Sequence, residues 1–153
     1  MDTTTVRQSL EETYRSNRAL IAGLAAADLD RRTPNPKWSV RQVAAHIAED
    51  DGAILYVGKQ LAKGKNAKAP GVVVNLMNWW TLRKHRRATA PDLLAVLDAR
   101  HRALLAWLDE LPPEAGQRDG EVSGMGRLSL ADFLARSGAH SREHAAEIGA
   151  ALS

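Results

Sequence analysis

The chain has 153 residues, 44% of them apolar and 25% charged, with a formal net charge of +3 and no cysteine. That balance suits one soluble globular domain over residues 1–153, and the lack of cysteine excludes disulfides, a thiolate nucleophile and a thiolate metal site. The N-terminal residues lack the pattern of a secretory signal and no apolar run is long enough to span a bilayer, so a cytoplasmic location with no membrane partner is expected.

The spacing predicts a first helix from Thr3 to about Ala26, with Leu10, Tyr14, Asn17, Ile21 and Leu24 on one face. Asn17 in that apolar line is either a hydrogen-bonded core amide or part of a pocket wall. Pro34 and Pro36 then stop the helix. Ser39, with Gln42 three residues on, forms a capping box that opens the second helix. Its inward stripe reads Val43, Ile47, Asp50, Ile54, Val57 and Leu61, with His46 one turn before Asp50 on an adjoining line. A carboxylate beside an imidazole on an inward face is costly unless paired, metal-bound or hydrated. Glu49 and Asp51, on either side, read as a solvated acidic patch.

Lys63 to Gly71 reads as a loop, and Val72 to Arg87 as a short crossover helix that is apolar nearly all round through Val72, Val73, Val74, Leu76, Met77, Trp79 and Trp80. The tryptophan pair is expected in the core, with a pocket wall as the alternative. The basic residues Arg83-Lys84-His85-Arg86-Arg87, like Arg31-Arg32 and the lysines at 59, 63, 65 and 68, read as solvated, with steering of an anionic small molecule toward a cleft as the alternative. They lack the aromatic interleaving or reading motif of a nucleic-acid binder. Thr89 caps the next helix, whose heptad line Leu94, Leu97, His101, Leu104, Leu108 and Leu111 makes His101 either a satisfied core residue or a competing ligand. Pro112-Pro113 ends it, and 114–127 reads as a Gly-rich loop.

Ser129 caps the last helix, Leu130 to about Leu152, which carries His140 and His144. Residues four apart lie about 40° apart around a helix, so these imidazoles share a face on successive turns, and Glu147 falls close to His140 on the same projection. This is the spacing with which a helix offers two imidazoles to one metal ion, although two such histidines are also ordinary surface or core residues. No strand pattern appears, and the expected fold is an all-α four-helix bundle with a long crossover between helices 2 and 3. His46 lies about 10 Å into its helix and His144 about 12 Å from the end of its own. Antiparallel packing of the second and last helices would put the three imidazoles at similar depth.

Trp38-Ser39-x6-His46-Ile47-x2-Asp50, together with His140-x3-His144, resembles the DinB-like superfamily, metal-binding four-helix bundles that include bacillithiol- and mycothiol-dependent S-transferases. The resemblance covers nearly the whole chain in length, helix order and histidine positions, and only the combination of its short motifs is specific. It implies His46, His140 and His144 as ligands of a divalent metal, zinc or nickel, with positions open to water or substrate. Members related to maleylpyruvate isomerase use a glutamate in place of one histidine, so the tri-histidine branch is the closer match. The same stretch matches the inverted zincin signature H-x-x-E-H, with Glu143 as base, but those peptidases take a further ligand well downstream.

The expected activity is transfer of a low-molecular-weight thiol to a small electrophile, with the thiol arriving as cosubstrate. Asp50 would act as general base or orient a ligand histidine, and some of Tyr14, Asn17, Trp79 and Trp80 would line the electrophile's pocket. A metal-dependent hydrolase fits the same ligands, as does a homodimeric metal- or ligand-binding protein without turnover.

Overall fold

A computed structural model of the chain describes residues 2–153, the side chains of Val74, Met77 and Asn78 excepted, so the apolar reading of Val74 and Met77 lies outside the described residues. Five helices, α1 (Thr3–Ala22), α2 (Val40–Leu61), α3 (Gly71–Lys84), α4 (Ala90–Asp109) and α5 (Leu130–Leu152), carry the architecture. Caps begin four of them. Asp2 accepts from the Thr4 and Thr5 amides, Ser39 and Gln42 close a capping box on α2, Thr89 and Asp92 do so on α4, and Ser129 accepts from the Asp132 amide. The first helix ends at Ala22, earlier than its periodicity suggests, yet Leu24 and Leu29 beyond it remain buried.

α1, α2, α4 and α5 form a four-helix bundle in which α2 packs against α4 and α5, and α1 packs against the same two from the other side. Two apolar clusters fix the directions. One joins Ile21 of α1, Val40 to Ala48 of α2, Leu93 and Leu97 of α4 and Ile148 of α5. The other joins Val6 and Leu10, Ile54 and Leu61, Leu104 and Leu108, and Leu130 to Leu134. Hence α1 and α5 run one way and α2 and α4 the other. The parallel pair α2 and α4 requires a connection that travels the length of the bundle, and residues 62–89 provide it.

Between the clusters lies a polar layer. Asn17 donates to Ser141 Oγ at 2.7 Å, which settles it as a hydrogen-bonded core amide. His101, only 5% exposed, meets Asp51 Oδ2 through Nδ1 at 2.7 Å and stacks on Tyr14 with ring centroids 4.0 Å apart. Tyr14 in turn donates to Asp98 Oδ1. Asp51 is therefore no solvated residue, since its carboxylate is the partner that makes a buried imidazole at position 101 tolerable.

The segment read as a Gly-rich loop folds instead into a 3-10 turn, Pro113–Gln117, and an antiparallel hairpin, β1 (Asp119–Val122) and β2 (Gly126–Ser129). Gly124 and Gly126 take φ of 74° and 76° in its turn, a conformation that favours glycine. The hairpin holds the start of the crossover through Ala67 N to Glu121 O and Ala69 N to Ser123 Oγ. Among the described residues α3 packs chiefly on α2, and Trp79 and Trp80 are 52% and 64% exposed rather than in the core. No described helix is long and apolar enough to cross a membrane.

At Gly58 the bundle closes tightly, because a Cβ there would stand 2.6 Å from the Trp107 ring. Gly58→Val should lower the unfolding free energy by about 1–3 kcal/mol through overpacking. Gly149→Ala, where a Cβ meets nothing within 4 Å, should be neutral or stabilise by up to about 1 kcal/mol. Urea unfolding of both variants checks the pair, and equal effects would contradict the packing at Gly58.

Candidate metal centre

Antiparallel packing of α2 and α5 brings the early part of α2 against the later part of α5, and three imidazoles meet there. His46 Nε2 lies 3.1 Å from His140 Nε2. The ring centroids are 5.3 Å apart for His46 and His140, 4.8 Å for His46 and His144, and 4.5 Å for His140 and His144, each pair nearly edge to face. One nitrogen from each ring lies within 4.8 Å of the others. Two imidazole nitrogens on one tetrahedral zinc stand about 3.3 Å apart, so the 3.1 Å separation suits a shared ion.

Trp38 forms one wall, stacked on His144 with centroids 5.6 Å apart and tilted against His46 at 5.1 Å. The loop before α2 sets that ring in place. Buried Thr33 donates its hydroxyl to the Trp38 carbonyl at 3.0 Å, and its amide does the same at 3.2 Å. On α5, Glu147 brings Oε1 to 3.4 Å from His144 Nδ1, close enough to act through its charge but without a hydrogen bond between them. The other Glu147 oxygen is buried with no hydrogen-bond partner among the described residues.

Electrostatics favours neutral rings, the ligating form. Burial pushes the His46 imidazole down to about 4, and the facing His144 and His140 push the same way. Burial likewise lowers His144, with His140 adding to it and Glu147 opposing. One turn along α2, burial raises the Asp50 carboxyl to about 6; Asp51 adds to the rise while His140 and the Ser141 hydroxyl pull against it. Asp50 Oδ2 is buried and has no hydrogen-bond partner among the described residues.

A cavity of about 440 Å³ opens beside His46, and Asp50, Tyr56 and Arg100 are among its lining residues. None of the residues assigned to a pocket wall from sequence lines it. Tyr14 is committed to His101 and Asp98, Asn17 to Ser141, and the two tryptophans lie on the exposed side of α3. Glu49, read as solvated, has a side chain only 16% exposed and gathers His85 Nε2 at 2.9 Å, Lys84 Nζ at 2.9 Å and Arg100 Nε at 2.7 Å. Burial raises its carboxyl, but His85, Lys84 and Arg100 outweigh that and hold it at about 2. His85, placed in a solvated basic run from sequence, is 7% exposed. His101 points into the α1–α4 contact and is no ligand competitor.

A family model described as the DinB superfamily matches residues 9–148, and the chain belongs to that superfamily. No curated protein sequence matches the chain. Among solved structures it is similar to YfiT from Bacillus subtilis, reported as a probable metal-dependent hydrolase with an unusual four-helix bundle topology (23% identity, TM-score 0.77, 96% of this chain and 83% of that one). It is also similar to the mycothiol-dependent maleylpyruvate isomerase (12% identity, TM-score 0.78, 98% of this chain and 62% of that one). A further likeness is to the sibling lethal factor precursor DfsB (15% identity, TM-score 0.68, 96% and 92%). At these identities the solved structures bear on fold alone.

The lowered His46 pKa fixes a sign. Below pH 6.5 the unfolded chain takes up a proton that the folded chain refuses until about 4, so this contribution is intact above pH 6.5 and is lost as pH falls through that window. In chelator-treated protein, the His46 ring signals in NMR should titrate near pH 4. The loss of stability between pH 6.5 and 4 should be smaller in His46→Gln than in wild type. Titration near 6.5 would contradict the buried, facing arrangement.

Proposed function

We propose that this chain is a divalent-metal-dependent enzyme that activates a low-molecular-weight thiol, of the bacillithiol or mycothiol kind, for attack on a small electrophile. The observation that carries this reading is the convergence of His46, His140 and His144 from two antiparallel helices, with burial and the neighbouring His140 favouring the neutral form of the His46 and His144 rings. The donor set fits zinc or nickel, since imidazole suits both. When bound, such an ion supplies Lewis acidity that lowers the pKa of a thiol or a water. The chain has no cysteine, so a nucleophilic sulfur must come from a cosubstrate. The mycothiol dependence of one structural relative supports the same class of thiol.

The chain's own residues then have distinct tasks. His46, His140 and His144 hold the ion, and the Glu147 carboxylate, 3.4 Å from His144 Nδ1, offsets part of the ion's charge. Trp38 covers one side of the imidazoles and limits water there. Asp50 has an unpartnered oxygen and a carboxyl near 6, so around neutral pH it accepts the proton that the nucleophile loses. A second reading is hydrolysis, favoured by the likeness to YfiT over most of both chains, with Asp50 taking a proton from water instead.

Two outcomes test the reading. A chelator should lower the melting temperature of the metal-loaded protein, since an ion bound only to the folded state stabilises it by mass action. His144→Ala should abolish that sensitivity and His101→Ala should keep it, so equal loss in both would mean the ligand set is wrong. Metal-loaded protein given a chloro-aromatic electrophile should form a thioether adduct by mass spectrometry only when a small thiol is added. Asp50→Asn should slow this at least about tenfold with the metal retained. Addition of water without thiol would favour the hydrolase, and inertness across a broad panel would favour a binding protein.

A further inference from the structure

The cavity beside His46 has walls of two kinds. Ala53, Val57, Ala69 and Val122 make part of it apolar, while Arg100 presents a cation. That arginine is held in place. Its Nε donates to Glu49 Oε2 at 2.7 Å, and Glu49 is itself fixed by buried His85 and by Lys84. Gly52 lets the side chain lie close along α2, because a Cβ there would stand 3.0 Å from Arg100 Cδ and 3.1 Å from its Nε. Among the described residues no hydrogen bond engages the two terminal nitrogens of the guanidinium, which form the fork that binds a carboxylate in bidentate fashion. Lys84 and Arg100 share the single Glu49 carboxylate, so these three side chains together carry one positive charge in excess, with Asp50 elsewhere on the cavity wall.

We infer that Arg100 is the anion receptor of this cavity and selects a small molecule with a carboxylate at one end of an apolar body. Glu49 acts as the positioning residue that aims the guanidinium. The volume of about 440 Å³ admits a ligand of that size. His46 and Glu49 are one helical turn apart, about 5–6 Å. A carboxylate on Arg100 therefore leaves the far end of a short molecule beside the imidazoles, and the apolar walls take the body between. This deepens the metal-enzyme reading by naming its substrate class, and it rests on that reading only for the reacting end.

Calorimetric titration of 3-phenylpropionate and its uncharged amide, in EDTA and with one equivalent of zinc, tests it. Wild type should bind the carboxylate at least about tenfold tighter than the amide in both media. Arg100→Gln should lose that preference, and Gly52→Val, which keeps the charge but crowds the side chain, should weaken it. Circular dichroism melting identifies any variant that fails to fold, and the comparison of the two ligands on wild type stands without the variants. Equal affinity for the two ligands, no carboxylate binding by wild type, or a preference that survives in folded Arg100→Gln would overturn the inference. So would carboxylate binding seen only with zinc. Failure to take up zinc would sink the metal reading while leaving the EDTA comparison to judge Arg100.

Discussion

The antiparallel contact between α2 and α5 is the constraint on which the rest of this molecule depends. A histidine near the start of one helix and a histidine pair late in another meet only if the helices run in opposite directions and touch along their length. The up-down-down-up order achieves this, and it makes α2 and α4 parallel neighbours. Two parallel helices cannot be joined by a tight turn, so the crossover through residues 62–89 follows from the position of the histidines. That crossover, tied down by the β1–β2 hairpin through Ala67 and Ala69, contributes wall to the cavity beside His46.

Charge is handled in the same economical way. The bundle buries a polar layer between two apolar clusters, and most of its groups are matched: Asn17 with Ser141, His101 with Asp51, Tyr14 with Asp98. Buried polar groups are tolerated when satisfied and costly otherwise. Among the described residues, the buried side-chain atoms without a partner are Asp50 Oδ2, His144 Nδ1 and Glu147 Oε2, all on or beside the histidine cluster. Unmatched groups concentrated at one place, in a molecule that matches the others, mark where a ligand would complete the set.

Much of this was legible in the sequence because it is written in local chemistry. Capping residues at 39, 89 and 129 locate helix starts, and apolar lines give the faces. The i, i+4 histidines on α5 and the His46–Asp50 pair on α2 carry residue types that an inward face rarely tolerates. What was not legible depends on which helices are neighbours. The pairing of Glu49 with His85 and Arg100, and of Asp51 with His101, needs α3 and α4 beside α2, and no spacing within one helix reveals that. Trp79 and Trp80 look like core residues by type, but among the described residues α3 packs chiefly on α2 and their bulk stays exposed. The hairpin had a signal in Ser123-Gly124-Met125-Gly126 between Val122 and Leu128, a glycine-bearing loop flanked by apolar residues, too short to stand out beside four long helices.

X-ray absorption spectroscopy at the zinc edge, on protein loaded with one equivalent of zinc, addresses the central claim most directly, because it counts imidazoles without requiring a substrate. Three histidine rings should appear at about 2.0–2.1 Å, falling to two in His140→Ala. A shell with fewer than three imidazoles, or one unchanged by that substitution, would contradict a centre built from His46, His140 and His144.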